Sequence, residues 1–425
     1  MFYRQALKFC FVTSIALFSS MAVRADESWI LTKSDFHRAA VGIVSLDERE
    51  LITSPAGDTR LSIPLEEIVR LNRAALSTAN PPKLIVFLHG GDRLGGTPGD
   101  LKDEWLAWNC PVIGDIQLPL SRLRAISRST SPIGLDADRK EDQVILSNRD
   151  VVRGVVAGVE EGKVLIQNGS DTVPIPIASA DSILFATTAS KTAVSTRAWR
   201  IRFIDLSVLT VPSLNIRNGT LSFPLFQQKG TAQTTVLHHA LLSSVSSIEQ
   251  VNGPVSWLSD RQPRVNEQVP FSSETTLPAR MDLNVFGKPL RIGAQTFEKG
   301  IGVHANSVLT FPLDGSYKVF RTMYAIDTTG DVSRAAVDVR IRLDGKIVHE
   351  AKNFRAFKVS PTVTVELAGA KELTLEVVAA GPTDTQDRLD WIEPALVRTV
   401  EVRARLEPGT PATAPSVTDG AGGKP

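Results

Sequence analysis

The chain has 425 residues, and its 47 Lys and Arg nearly balance its 46 Asp and Glu, which leaves a formal net charge of +1. A near-neutral chain lacks the electrostatic footprint of a nucleic-acid-binding protein, so nucleic acid is not an expected partner. The two cysteines are Cys10 and Cys110. Because Cys10 falls in the leader described next, we expect no disulfide within the exported protein.

Residues 1–25 have the order of a signal peptide, with an early Arg and Lys, an apolar stretch over 9–18 and small residues up to Ala25. We therefore expect a secreted, periplasmic or cell-surface protein. No later segment is apolar enough to predict a membrane span. Residues 401–425 are rich in Pro, Gly, Thr and Ala, which predicts a disordered tail.

The first half of the chain carries a repeated pattern. A glycine early in each copy and a proline late in each copy recur about every 55 residues. The glycines are Gly42, Gly96 and Gly154, and the prolines are Pro64, Pro119 and Pro176. We predict tandem small β-repeats, built as barrels or sandwiches, with two units in 26–128 and a further repeat region in 141–250. Strand-like alternation continues over 199–250, but the repeat marks cannot be placed there.

One motif in the second copy resembles part of a hydrolase site. His89, Gly90 and Gly91 follow an apolar run, as the residues of an oxyanion hole do in lipases and esterases. The sequence contains no G-x-S-x-G elbow to supply the nucleophile. Because the third copy has Asn148 and Arg149 where this copy has the glycines, we interpret the motif as a tight turn between strands. No catalytic residue is predicted.

The second half has the alternation of an antiparallel β-sandwich. Apolar residues at every second position over 337–343, 363–367 and 373–377 predict strands with one buried face. The Asp344-Gly345 pair predicts a hairpin turn between strands. We therefore expect a mostly β chain in which the repeats are followed by a sandwich over 251–400.

Five motifs in this half carry a family resemblance. They are the run K-G-I-G-V-H-A-N-S over 299–307, Phe320, Asp327, the Asp344-Gly345-Lys346 turn and the closing Asp390-Trp391. In this order they resemble the NPCBM/NEW2 family over about residues 254–398. That is a carbohydrate-binding-module family related to family 51 modules, with a galactose-binding-like jelly roll. The resemblance implies binding of galactose-type or other glycans.

The resemblance also implies which residues bind the sugar. Carried over by motif, they are His304, Asn306, Ser307, Asp390 and Trp391. His, Asn and Asp suit paired hydroxyl groups, and an indole ring suits the apolar sugar face.

Alternatives remain for several of these residues. His304 can instead point inward and hold a loop, and Trp391 can instead fill the base of the sandwich. Asp390 and Asp327 can cap turns or hold a structural Ca²⁺, and the short loop from Asp327 to Asp331 is a candidate for that ion. No other cofactor is predicted.

The favoured hypothesis is an exported, non-catalytic protein that binds a glycan or polysaccharide through its C-terminal module. One alternative is a structural or protein-interaction protein of the envelope whose sandwich has lost sugar binding; its protein partner is unknown. The other is a glycoside hydrolase with an unrecognised site, which would need two carboxylates across a cleft.

Overall fold

We analysed a computed structural model of the chain. It describes residues 28–54, 60–74, 82–130, 132, 134–135, 139–186, 197–225, 236–269, 276–355 and 358–398. The predicted signal peptide and the predicted tail lie outside these residues. Within the described ranges the secondary structure consists of strands and short 3-10 turns, and none of it is a helix long and apolar enough to cross a membrane.

The described part of the repeat region contains four units of similar architecture. The first three have five strands each, and the fourth has six. Unit 1 holds β1 (Trp29–Lys33), β2 (Arg38–Leu46), β3 (Glu50–Ser54), β4 (Leu61–Pro64) and β5 (Ile68–Arg73); unit 2 holds β6 (Leu84–Leu88), β7 (Arg93–Lys102), β8 (Trp105–Cys110), β9 (Gly114–Pro119) and β10 (Leu123–Ser127); unit 3 holds β11 (Asp142–Leu146), β12 (Val151–Glu160), β13 (Lys163–Asn168), β14 (Asp171–Pro176) and β15 (Ala180–Leu184); unit 4 holds β16 (Ala198–Phe203), β17 (Val208–Val211), β18 (Asn215–Arg217), β19 (Thr220–Pro224), β20 (Leu237–Leu241) and β21 (Val245–Val251).

The repeated glycines and prolines each have a structural reason. A Cβ on Gly96 would lie 2.2 Å from the Asn109 carbonyl oxygen, so β7 can approach β8 this closely only because residue 96 is glycine. Gly154 in unit 3 is constrained in the same way. Each repeated proline ends a strand and is followed directly by a 3-10 turn. In unit 4 Leu241 stands at this position, which explains why the sequence marks were lost there.

The four units associate as two pairs. In units 2 and 3 the last strands, β10 and β15, pair antiparallel, and the long strands β7 and β12 meet at Leu101 and Val159. Units 1 and 4 repeat this arrangement through β5 with β21 and β2 with β18. One shared hydrophobic core runs through all four units. The prediction of small β-repeats that pack on one another is confirmed.

The His89 motif forms a turn, as predicted. The Leu88 N–H donates to the Asp92 carbonyl oxygen at 2.9 Å, which closes the connection between β6 and β7. Gly90 and Gly91 have φ angles of +92° and +90°, a region that favours glycine.

The C-terminal half is a two-sheet sandwich with a small accessory hairpin. Its strands are β22 (Val255–Trp257), β23 (Val265–Gln268), β24 (Arg280–Met281), β25 (Leu290–Ile292), β26 (Gln295–Phe297), β27 (Gly300–His304), β28 (Ser307–Pro312), β29 (Val319–Ile326), β30 (Val337–Leu343), β31 (Lys346–Phe354), β32 (Val363–Glu366), β33 (Glu372–Ala379) and β34 (Arg388–Val397). One sheet has the order β24-β27-β34-β29-β32, with β22 also on β34, and the other has the order β23-β28-β33-β30-β31. The three predicted strands and the hairpin turn at Asp344-Gly345 are present.

A small apolar cluster joins the sandwich to units 1 and 4. Trp257 is buried in it with Val69 of β5, and Phe36 packs edge-on against the indole at 6.1 Å. The Trp257 indole N–H donates to Glu249 on β21 at 2.6 Å. The indole thus contacts the repeats both by this hydrogen bond and by packing of its ring, and these contacts attach the sandwich to units 1 and 4.

Candidate functional site

Three loops meet at one end of the sandwich, and Asp387 holds them together. The Ala336 N–H of the loop after β29 donates to the Asp387 carboxylate at 2.8 Å. The Ala305 N–H of the β27–β28 loop donates to the Asp387 carbonyl oxygen at 2.9 Å. These hydrogen bonds link the loops at the end of the sandwich that bears the predicted motif. We call this loop end the platform, and its linked loops can hold side chains in fixed positions.

His304 is partly exposed on this platform. Its Nδ1 lies 2.6 Å from the Ala305 carbonyl oxygen, so Nδ1 carries the hydrogen in that contact. The Asp384 carboxylate lies 4.0 Å from the same nitrogen. Within the described part of the chain Nε2 has no hydrogen-bond partner, and in the neutral ring it is an acceptor. A single oriented acceptor of this kind can receive a hydroxyl group.

Arg388 lies directly opposite His304 in the register of β27 and β34. Its guanidinium donates to the Thr329 and Asp331 carbonyl oxygens at 3.1 and 2.9 Å. Phe286, whose side chain is 47% exposed, lies with its ring centroid 5.2 Å from this guanidinium. An accessible aromatic ring thus lies beside Arg388, the residue that is opposite His304 in the strand register.

The Phe286 loop is held down by Asn284. The Asn284 side-chain oxygen accepts the N–H groups of Phe286 and Lys288, and its amide donates to Thr329 at 3.0 Å. The loop passes so close to β27 that a Cβ on Gly302 would lie 2.5 Å from the Asn284 backbone. The glycine of the G-V-H motif is therefore needed for the loop to cover this sheet face.

Asn306 and Ser307 serve the loop itself. The Asn306 side-chain oxygen accepts the Ala379 N–H at 2.9 Å, and its amide donates to the Val269 carbonyl oxygen at 3.4 Å. Ser307 is buried and accepts from Gln268 at 3.3 Å. Ser307 is thus inaccessible to a ligand, which corrects the expectation for that residue. Asn306 is partly exposed, and its role in binding stays a prediction.

Trp391 belongs to the core, which corrects its expected role as a stacking ring. Its side chain is 0% exposed and packs edge-on against Tyr324 at 5.9 Å. It lies opposite Ile301 in the strand register, on the sandwich side of the sheet. The alternative raised from the sequence, that this indole fills the interior, describes its position.

Asp390 is also buried, but on the opposite face of the sheet, beneath the Asn284 loop. It pairs with Gly302 and Ala325 in the strand register, and neither carboxylate oxygen has a partner within the described residues. Burial, followed by the charge of Asp327, holds the pKa of Asp390 well above its usual range, although Arg388 lowers it. Asp390 cannot contact a sugar in this conformation, so the expectation for it is corrected.

The loop from Asp327 to Asp331 does not fit a calcium ion. Asp331 is exposed, and its carboxylate accepts from Ser333 and Gln386. The Arg388 guanidinium occupies two of the loop's carbonyl oxygens, where Ca²⁺ would need free oxygen ligands. Across the described ranges no group of three or more His, Cys, Asp or Glu side chains is placed to hold a metal.

Sequence reasoning missed Arg388, Asp384 and Phe286. Arg388 stands two residues before the predicted Asp390, but only the strand register reveals that it faces His304. Phe286 lies in a loop without any motif, and no sequence signal could have found it.

Comparisons with known proteins agree with this domain. Residues 255–397 match the model of the NPCBM/NEW2 domain. A protein of Renibacterium salmoninarum named "Putative endo-alpha-N-acetylgalactosaminidase" is 29% identical over 105 residues, which are 25% of this chain and only 7% of that protein's length.

Two solved structures are among the similar folds. The CBM51 of Clostridium perfringens GH95, solved with methyl-galactose, is 20% identical, and the match covers 34% of this chain and 99% of that chain with a TM-score of 0.30. The tandem CBM51 modules of Sp3GH98 from Streptococcus pneumoniae are 12% identical, with 63% and 90% of the chains covered and a TM-score of 0.30. By its family match, the C-terminal sandwich of this chain is an NPCBM/NEW2 domain.

Proposed function

We propose that the chain binds carbohydrate at the loop end of its NPCBM/NEW2 domain, and that His304 is the central contact. The observation that carries the proposal is the fixed, partly exposed imidazole, whose Nδ1 is used by Ala305 while Nε2 has no partner in the described part of the domain. A rigid acceptor loses little conformational entropy when a ligand binds.

The neighbouring groups suit the two sides of a pyranose ring. The His304 imidazole can accept a sugar hydroxyl at Nε2, and the Asp384 carboxylate lies 4.0 Å from its Nδ1 on the same platform. Phe286 offers an exposed ring for the apolar C–H face of the sugar. His304 is retained from the motif-derived set, and Asp384 and Phe286 are added as candidates because Ser307, Asp390 and Trp391 lie inside the domain.

We further propose that the protein is exported and non-catalytic and recognises a galactose-type glycan. Export rests on the signal-peptide pattern of residues 1–25. Galactose-type specificity rests on the family resemblance, and the name of the Renibacterium relative makes α-linked N-acetylgalactosamine a first glycan to test. We do not propose the enzyme activity in that protein's name for this chain, because the match covers only 7% of that protein's length.

The test is a glycan array probed with the full chain, in buffers with Ca²⁺ and with a chelator. We expect binding to a small set of terminal galactose or N-acetylgalactosamine structures, at equal strength in both buffers because the platform does not fit the ion. No binding by a protein shown to be folded would overturn the proposal.

A structural or protein-contact role is the second candidate. It is favoured by the burial of Trp391, Asp390 and Ser307, since a lectin built around those residues would expose them. It predicts a silent array.

A further inference from the structure

Each repeat unit leaves one strand at the edge of its sheet. Among the described strands, β4 pairs only with β3, β9 only with β8, β14 only with β13 and β20 only with β19. These four strands are structurally equivalent, because each is followed directly by the unit's 3-10 turn. An unpaired edge presents free N–H and C=O groups to any other strand that approaches it.

The last buried residue of each edge strand aligns the four units. It is Ile63, Leu118, Ile175 and Ala240, and each lies one residue before the end of its strand. The alternation of a strand then places the last residue and those two and four before it on the outer face. This alignment compares the four edges position by position.

Three of the four edges carry residues that prevent strand addition. Their last residue is proline, which cannot donate to a neighbouring strand, and charged or further proline residues precede it. The outer-face residues are Arg60, Ser62 and Pro64 in unit 1, Asp115, Gln117 and Pro119 in unit 2, and Thr172, Pro174 and Pro176 in unit 3.

The edge of unit 4 has none of these protections. Its outer-face residues are Leu237, His239 and Leu241, and the strand contains neither a proline nor an Asp, Glu, Lys or Arg. The two leucines are 54% and 63% exposed. His239 is held on this face by a 2.9 Å hydrogen bond between its Nδ1 and the Ser222 hydroxyl. Unit 4 therefore differs from its three relatives at the positions that decide whether another strand can add.

The outer face of β20 is also symmetric about His239, with a leucine two residues away on either side. Two antiparallel copies related by a two-fold axis through this position would place Leu237 of each copy opposite Leu241 of the other. Apolar residues directly opposite each other across antiparallel strands are stabilising neighbours. A strand that matches itself in this way is suited to a second copy of the same chain.

We propose that β20 is a homodimer interface, in which the β20 strands of two copies pair antiparallel about His239. The pairing joins two sheets into one and covers the two exposed leucines on each copy. Because the contact is one short strand from each partner, it is small, and we expect a weak, reversible dimer. The surface lies on unit 4 and is separate from the loop end of the sandwich.

The first test is sedimentation velocity of the full chain across the micromolar range. We expect a concentration-dependent monomer–dimer equilibrium that the double variant Leu237→Lys and Leu241→Lys weakens at least tenfold. The matched control is Leu61→Lys with Val173→Lys, which makes the same change at two exposed apolar residues on the protected edges of units 1 and 3. That control is expected to dimerise like the parent. A monomeric parent, or equal weakening by both double variants, would overturn the proposal.

The second test fixes the register. In the proposed pairing the two copies of residue 239 are directly opposite, at a spacing that a disulfide can bridge. The variant His239→Cys is expected to form a covalent dimer under mild oxidation, while the parent chain, with Cys10 and the buried Cys110, does not. Cross-linking no greater than in the parent would contradict this register and refute the interface.

Discussion

Replacing Trp391 by alanine tests whether this residue stabilises the sandwich core or stacks on a sugar. The side chain is fully buried, and truncation of a buried tryptophan typically destabilises a protein by about 3–5 kcal/mol. About 1 kcal/mol of this comes from the edge-on contact with Tyr324. The indole N–H has no partner within the described residues, so the loss is one of packing and not of hydrogen bonding. We therefore expect about 4 kcal/mol.

The assay is urea unfolding of the full chain, with Trp391→Phe as the matched variant. Phenylalanine fills much of the same volume and is expected to cost about 1–2 kcal/mol. Below the unfolding transition both variants should retain sugar binding. A Trp391→Ala protein that keeps the parent's stability but loses sugar binding would show that the indole lines the site and would refute the reasoning.

Three further predictions concern two buried charged side chains and one glycine. Asp390→Asn is expected to raise the melting temperature at pH 8 and to change it little near pH 3. Burial, with the charge of Asp327, raises the pKa of Asp390, so the parent loses stability as the pH rises above the ordinary carboxyl range. A difference in melting temperature that is constant with pH would contradict this. Lys299→Met should lower the free energy of unfolding by about 3 kcal/mol, measured in urea, because the buried ammonium pairs with two carboxylates at 2.9 and 3.0 Å; an unchanged midpoint would refute it. Gly154→Ala should destabilise unit 3 by about 1–3 kcal/mol, since the new Cβ would lie 2.2 Å from a backbone oxygen of β13; hydrogen exchange of β13 amides at the parent's rate would argue against that.

Periodicity predicted much of the fold because it depends on local features. Alternating apolar residues predicted β30 and its neighbours. The Gly96 and Pro119 marks recur because the close strand approach and the strand end recur in the first three units. The fourth unit was only partly recognised, because its edge strand ends at Leu241 and the 3-10 turn follows without a proline. A repeat can therefore be preserved in three dimensions after its sequence marks have changed.

The candidate site was harder to predict because adjacent motif residues point in opposite directions. Asp390 and Trp391 are neighbours in sequence, yet one side chain lies under the Asn284 loop and the other lies in the sandwich core. Arg388 lies opposite His304 in the strand register, although the two strands are far apart in sequence. Such a register depends on long-range packing and cannot be read from the spacing of residues within a motif.

The most direct test of the proposed site is calorimetric titration of the full chain with methyl-galactoside, or with the best glycan from the array. His304→Ala is compared with His37→Ala, which removes an exposed histidine from repeat unit 1. The account predicts that affinity falls at least about tenfold, a loss of some 1.4 kcal/mol, in the first variant and is unchanged in the second. Undiminished binding by folded His304→Ala protein would contradict the site.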